Sequence, residues 1–317
     1  MAAGSACLLA SLLQSAPARA GGDPVNAPLR PAPLRPAPLA APPPEPRPGL
    51  VWQPYWRRAH TIDYAATVAF AGAALTEILI APGDLEGDGW VGGILFDDAV
   101  RDALAIRSAG DRKAIGRMSD VLFTALVAYP FVVDTALVTW LGHDSPDVAW
   151  QMLVINTRAF AFTQALTGVI KRIANRERPA LTECRADPSY DPTCGDGGAD
   201  YSFFSGHSSM AFTGAALICT HHAHLPLYGG DGDTLACTGA ITAAMLTGLA
   251  RVTSDRHYLS DVLTGASVGM VSGAILPYLL HYRAQGTASE KKEGASRGMV
   301  SPLIGPTTFG ASYTLVY

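Results

Sequence analysis

Between Leu50 and Tyr282 the chain repeats one pattern: long stretches rich in Ala, Leu, Val, Ile, Gly and Thr, broken by short polar, Gly-rich or Pro-rich joints. The apolar periodicity predicts helices near 61–81, 92–107, 117–142, 146–172, 207–223, 235–251 and 257–283. Strand patterns are nearly absent. The exception is Ser301–Tyr317, where Gly305-Pro306 and a run of Thr, Tyr and Val predict a short hairpin. The expected fold class is therefore all-α, a helical bundle with a small C-terminal β-hairpin.

Charged residues make up only 16% of the chain and hydrophobic ones 49%, whereas soluble domains carry roughly 25% charge. Such a bundle has either an enlarged core or a membrane to meet. A spanning helix needs about 20 mostly apolar residues, and any charge within it must face the bundle interior. Segment 262–282 meets that length, and 64–82 nearly does, with Glu77 inside; 121–142 and 150–170 carry Asp134 and Arg158. An integral bundle and a soluble periplasmic one both fit. Trp52, Tyr55, Trp56, Arg57 and Arg58, just ahead of the first helix, read either as an interfacial anchor or as an amphipathic lead-in. A net charge of −4 supplies no basic field, so nucleic acid is not an expected partner.

The flanks divide the chain. Residues 1–20 read as a signal peptide: the apolar stretch Ala6–Leu13 precedes a small-x-small pattern at Ala18-Arg19-Ala20, although the start carries no Lys or Arg. Residues 21–49 read as a linker, with 11 of the 23 prolines and a tandem Ala-Pro-Leu-Arg-Pro favouring extended backbone. A helical domain over 50–285 and a tail over 286–317 follow. Beyond Cys7 there are four cysteines. Cys184 and Cys194 share one polar loop and are expected to pair. Cys219 and Cys237 flank a second loop, as a disulfide or as small core residues. Such pairs suit an oxidising compartment, so the protein is expected to be exported.

Three separated clusters carry the chemistry. Lys171 closes a long helical pattern, and Arg178-Pro179 follows seven residues later. A helix rarely runs through the residue before proline, so both cations can meet at a loop-capped mouth. Arg matches phosphate oxygens with a planar fork and Lys adds a mobile point charge. Ser205-Gly206-His207 opens a helix, whose exposed amides suit an anion. Arg251 ends the next helix, with His257 six residues on and Asp261 four after that. If His257 and Asp261 share a helix face, the carboxylate orients the imidazole and leaves one ring nitrogen free. Taken singly, each cluster reads more simply as a helix cap, a basic helix end or a surface pair. Together they form an inventory for gripping a phosphoryl group and attacking it with histidine, without a metal. His221, His222 and His224 also suggest a metal cluster, but a polar helix end accounts for them.

These nine positions, in this order and spacing, resemble the signature of the type 2 phosphatidic acid phosphatase (PAP2) superfamily, which also contains the vanadium haloperoxidases. The resemblance covers Lys171 to Asp261. It departs from the usual pattern at Phe204, normally Pro, and at Ala250, normally Ser. It implies a bundle of the PAP2 type and a metal-independent phosphatase acting on a phosphate monoester or pyrophosphate, with a phosphorylated lipid or small phosphate ester as partner. It further implies His257 as nucleophile, Asp261 as its orienting group and His207 as general acid and then base. Lys171, Arg178, Ser205, Gly206 and Arg251 are implied as the phosphate cradle. No cofactor is expected, save vanadate if the chain is instead a haloperoxidase. A soluble periplasmic non-specific acid phosphatase is the other alternative. The acidic loop holding Glu183, Asp187, Asp191, Asp196 and Asp200 reads as a solvated, disulfide-pinned segment.

Overall fold

A computed structural model describes residues 49–79, 90–191, 194, 201–284, 297–305 and 308–316. The expected signal peptide and nearly all of the expected linker lie outside the described residues, as do Asp196 and Asp200. The helices are α1 (Thr61–Leu79), α2 (Asp97–Leu104), α3 (Ala109–Tyr129), α4 (Pro146–Ala174), α5 (Pro179–Ala186), α6 (Gly206–His224), α7 (Asp231–Thr253) and α8 (Leu259–Met270). Helix α3 continues in π-helical turns over Pro130–Gly142, and α8 continues through Val271–Ile275 and Tyr278–Tyr282. Strands β1 (Arg297–Gly305) and β2 (Thr308–Val316) pair antiparallel, from Arg297 opposite Val316 to Gly305 opposite Thr308. The hairpin thus begins four residues before the predicted one.

Local chemistry explains where the elements differ from the predicted ones. Helix α3 starts earlier because Ser108 caps it, accepting from the Asp111 amide at 3.4 Å. Helix α2 is shorter because Leu95 takes a positive φ of 55° and Asp97 accepts the Ile94 amide. Helix α5 escapes the periodicity at eight residues, and Pro179 starts it. Pro130 has no amide to donate to the Leu126 carbonyl, and the bonding shifts there to wider turns. The Leu126 carbonyl instead lies against α6, where a methyl group on Gly214 would stand 2.2 Å from it.

Helix α6 forms the axis, with α3, α4, α7 and α8 around it and α1 on the outside of α4. The α6–α8 contact is main chain to main chain. A methyl group at Gly265, Gly269 or Gly273 would come within 2.3–2.6 Å of the carbonyl oxygens of Ser205, Ser209 or Thr213. Small residues at four-residue spacing permit this approach.

Five helical segments are long and apolar enough to cross a membrane: Thr61–Leu79, Ala109–Gly142, Pro146–Ala174, Asp231–Thr253 and Leu259–Tyr282. Their outward faces are apolar, with Val68 72% and Ile173 74% exposed. Length, composition and outer faces mark a membrane protein, so of the two settings open to the sequence the bilayer is the one these helices fit. Arg158 and Asp134, deep in these segments, turn inward. Arg158 pairs with Asp63 at 2.5 Å and with His281 at 2.6 Å, and Asp134 meets His222 at 3.3 Å. Trp52 and Trp56 do not form an interfacial anchor: both are buried, packed on Tyr282 with ring centroids 5.2 and 5.0 Å away.

Candidate active site

The site is built where α4 and α7 end and α6 and α8 begin. Asn175, in the left-handed region, caps α4 by donating its amide to the Lys171 carbonyl. The chain then runs extended to Arg178, as a residue before proline must. The Ser205 hydroxyl caps α6 by accepting from the Ser208 amide, and the Ser205 amide donates to the Asp261 carbonyl at 3.0 Å. That bond ties the start of α6 to the start of α8. Ser205 and Phe204 are buried.

Lys171, Arg178, Gly206 and His207 line one cleft of about 370 Å³, together with Glu77, Phe123, Gln164 and Met210. Its walls come from α1, α3, α4 and α6. A methyl group on Gly206 would sit 3.8 Å from the Lys171 Nζ, so the ammonium lies beside the helix start. Arg251 is buried, and its Nε has no acceptor among the described residues, a donor left for an anion.

His257 precedes α8 rather than lying on it. Its amide bonds the Arg251 carbonyl at 3.2 Å, and α8 begins at Leu259 with Asp261 in its first turn. The expectation that His257 and Asp261 share a helix face is therefore corrected. The pair meets across the helix cap, Nδ1 to Oδ2 at 3.6 Å, too long for a direct hydrogen bond. Ser202 stands between them, donating to Asp261 Oδ2 at 2.6 Å and lying 3.4 Å from His257 Nδ1. With Nδ1 on that side, Nε2 is the nitrogen left for chemistry. Burial, then Arg251, Lys171, Arg178 and His207, hold His257 well below the ordinary imidazole range. Both effects favour the uncharged ring. Burial and the nearby Arg251 likewise push His207 down to about 4, against the opposing Asp120.

Residues that the motifs do not contain complete the site. Arg176, wholly buried, pairs with Asp261 at 2.6 Å and Asp97 at 2.9 Å, between the Trp90 and Tyr258 rings, each 4.1 Å away. Burial opposes the Asp97 charge, but bonds from the Ile94 amide, Ser260 and Arg176 outweigh it and lower its pKa. On α3, Asp120 accepts from His207 Nε2 at 2.9 Å and from Arg251 Nη1 at 3.3 Å.

Cys184 and Cys194 are bonded, as are Cys219 and Cys237. The acidic loop is not wholly solvated: Asp191 is buried against Arg112 at 3.1 Å, and Glu183 faces Arg101 at 3.6 Å. The three histidines ending α6 diverge, His221 to Asn156 and Tyr282, His222 to Asp134 and Asp233, and His224 to the Thr220 carbonyl. His221 and His222 are buried rather than frayed. Among the described residues, no three His, Cys, Asp or Glu side chains are grouped to hold a metal ion.

Comparison with known proteins follows this geometry. A lipid A 1-phosphatase from Porphyromonas gingivalis is 40% identical over 135 residues, 42% of this chain. The chain spans only 25% of that protein's length. A transmembrane PAP2-type phosphatidylglycerolphosphate phosphatase from Bacillus subtilis aligns at 20% identity with a TM-score of 0.44, covering 67% of this chain and 92% of that one. Residues 152–285 match the PAP2 superfamily, a stretch holding all three clusters.

Proposed function

We propose that this chain is a phosphoric ester hydrolase that removes phosphate from a lipid phosphate monoester or pyrophosphate through a phosphohistidine at His257. The observation that carries the proposal is the crowding of Lys171, Arg178 and Arg251 around one buried imidazole, which favours its uncharged form. Three cations around an uncharged nucleophile suit a dianionic phosphoryl group, and preorganised positive charge is usually the largest catalytic contribution.

His257 Nε2 attacks phosphorus as the phosphorus–oxygen bond to the leaving group breaks. His207 gives its proton to the leaving oxygen. His207 then takes a proton from water, which attacks the phosphohistidine and releases inorganic phosphate and the free ring. Asp261, positioned by Arg176 and Ser202, orients His257 and balances the charge the ring acquires. Lys171, Arg178, Arg251, the Ser205 hydroxyl and the Gly206 amide hold the equatorial oxygens. Every step uses side chains of this chain.

The cleft supports an amphiphilic substrate, because three of its walls, α1, α3 and α4, are helices long and apolar enough to cross a membrane and it ends at the cations. The lipid A 1-phosphatase relative favours a glycolipid phosphate over phosphatidic acid or isoprenoid pyrophosphate. Two disulfides favour a site facing an oxidising compartment outside the cytoplasm. We place the phosphatase domain at 50–285. The test is a substrate panel of lipid phosphates and soluble phosphomonoesters, with and without detergent, using the wild type and His257→Ala. Phosphate release from lipid substrates that His257→Ala abolishes is the expected result. Full activity in His257→Ala overturns the mechanism.

A further inference from the structure

Asp120 sits on α3, outside every motif, and its side chain is 57% exposed. An exposed ion pair contributes little to stability, so packing does not account for where this carboxylate lies. Its Oδ1 accepts from His207 Nε2 at 2.9 Å and from Arg251 Nη1 at 3.3 Å, joining residues from α6 and α7. One turn along α3, Phe123 lies against the His207 ring with centroids 4.7 Å apart. Helix α3 thus grips the imidazole by its edge and by its face.

We propose that Asp120 is the positioning residue for His207: it binds the Nε2 proton, turns Nδ1 toward the scissile oxygen, and stabilises the imidazolium that delivers the proton. The inference rests on His207 being the general acid in the reaction proposed above. With Nε2–H bonded to Asp120, the proton for the leaving oxygen comes from Nδ1, and the same nitrogen later accepts a proton from water. Nε2 keeps its hydrogen in both steps. The charged groups facing His207 are Asp120 from α3, Lys171 from α4, Arg178 at the head of α5, Arg251 from α7 and His257 ahead of α8. Of these Asp120 alone is negative, so it is what keeps a protonated His207 within reach among four positive or potentially positive neighbours. Glu77 and Arg172, in the same cleft, are paired with each other at 2.6 Å.

The test compares full-length wild type, Asp120→Asn and Asp120→Glu on a lipid phosphate dispersed in detergent and on p-nitrophenyl phosphate. An alkoxide leaves only with a proton, whereas a nitrophenolate leaves without one. The lipid-to-nitrophenyl ratio of kcat/KM is therefore expected to fall about tenfold in Asp120→Asn, a fraction of what general acid help supplies. The alkaline limb of kcat on the lipid moves to lower pH, Asp120→Glu recovers part of both, and the melting temperature stays within a degree or two of wild type. An unchanged ratio and unmoved limb overturn the assignment. So does a lower KM alone, which would make Asp120 only a competitor for the Arg251 site, and so does a uniform loss on both substrates with a lowered melting temperature. If wild type hydrolyses neither substrate, the phosphatase reading itself fails; if it turns over and Asp120→Asn matches it, only the role of Asp120 fails.

Discussion

Arg176 and Asp261 form a fully buried ion pair, Nη1 to Oδ1 at 2.6 Å, which leaves the other carboxylate oxygen to Ser202, the Tyr258 amide and His257. The second arm of the same guanidinium holds Asp97, itself bonded to Ser260 on α8. Arg176 therefore fixes the Asp261 carboxylate beside His257.

Replacing Arg176 with Met strands two buried carboxylates. Breaking a buried pair costs about 3–5 kcal/mol, so Arg176→Met is expected to unfold at markedly lower temperature and to lose most of its phosphatase activity. Arg176→Lys keeps the charge but loses the fork and the stacking on Trp90 and Tyr258, and should fall between the two. Thermal unfolding in detergent checks the order; an unshifted melting point in Arg176→Met contradicts it.

In the proposed reaction His257 attacks as a neutral ring, and burial and the surrounding cations hold its pKa well below the ordinary value of 6.5. Lowering the pKa of a group that must be unprotonated moves the loss of rate to more acid pH. The acid limb of kcat/KM is accordingly expected below pH 6.5. A limb centred at or above 6.5 in a pH–rate series rules out the crowded-cation picture of the site.

Gly269 meets the Ser209 carbonyl where a methyl group would stand 2.4 Å away. Overpacking of this kind costs about 1–3 kcal/mol. Gly269→Val should lower resistance to denaturing detergent and slow turnover, since α6 and α8 frame the two site histidines; Gly269→Ala should do so less. Parallel unfolding and kinetic measurements decide it, and a fully stable Gly269→Val refutes the close contact.

The Cys219–Cys237 bond joins α6 to α7 across a separation of 18 residues. A loop of that size is worth roughly 3 kcal/mol. The double serine variant is expected to melt earlier while keeping the wild-type kcat, because Cys219 lies in the later half of α6, away from His207. A large loss of kcat at unchanged stability would contradict this placement.

The helices and the motif residues were legible in the sequence because each rests on local signals: periodicity, a capping serine, a proline after an arginine. Asp120 was not, because 87 residues separate it from His207 and on α3 it reads as one more solvent-facing acid. Arg176 was hidden among the basic residues between Lys171 and Arg178; only the folded chain puts it between Trp90 and Tyr258. Ser202 showed no spacing signal at all. Trp52 and Trp56 misled because an aromatic pair beside two arginines has the same composition at a bilayer surface and under a helix bundle. The four-residue spacing to Asp261 predicts a helical His257, but a cap turn also satisfies that spacing.

The glycine seam between α6 and α8 has a mechanical consequence. His207 rides at the head of one helix and His257 just before the other, and the closest approaches between these helices are to backbone carbonyls. The spacing of the two backbone positions that carry the imidazoles is thus held by main-chain contact. Lipids that thicken or thin the surrounding bilayer can tilt the outer helices while this gauge keeps its length.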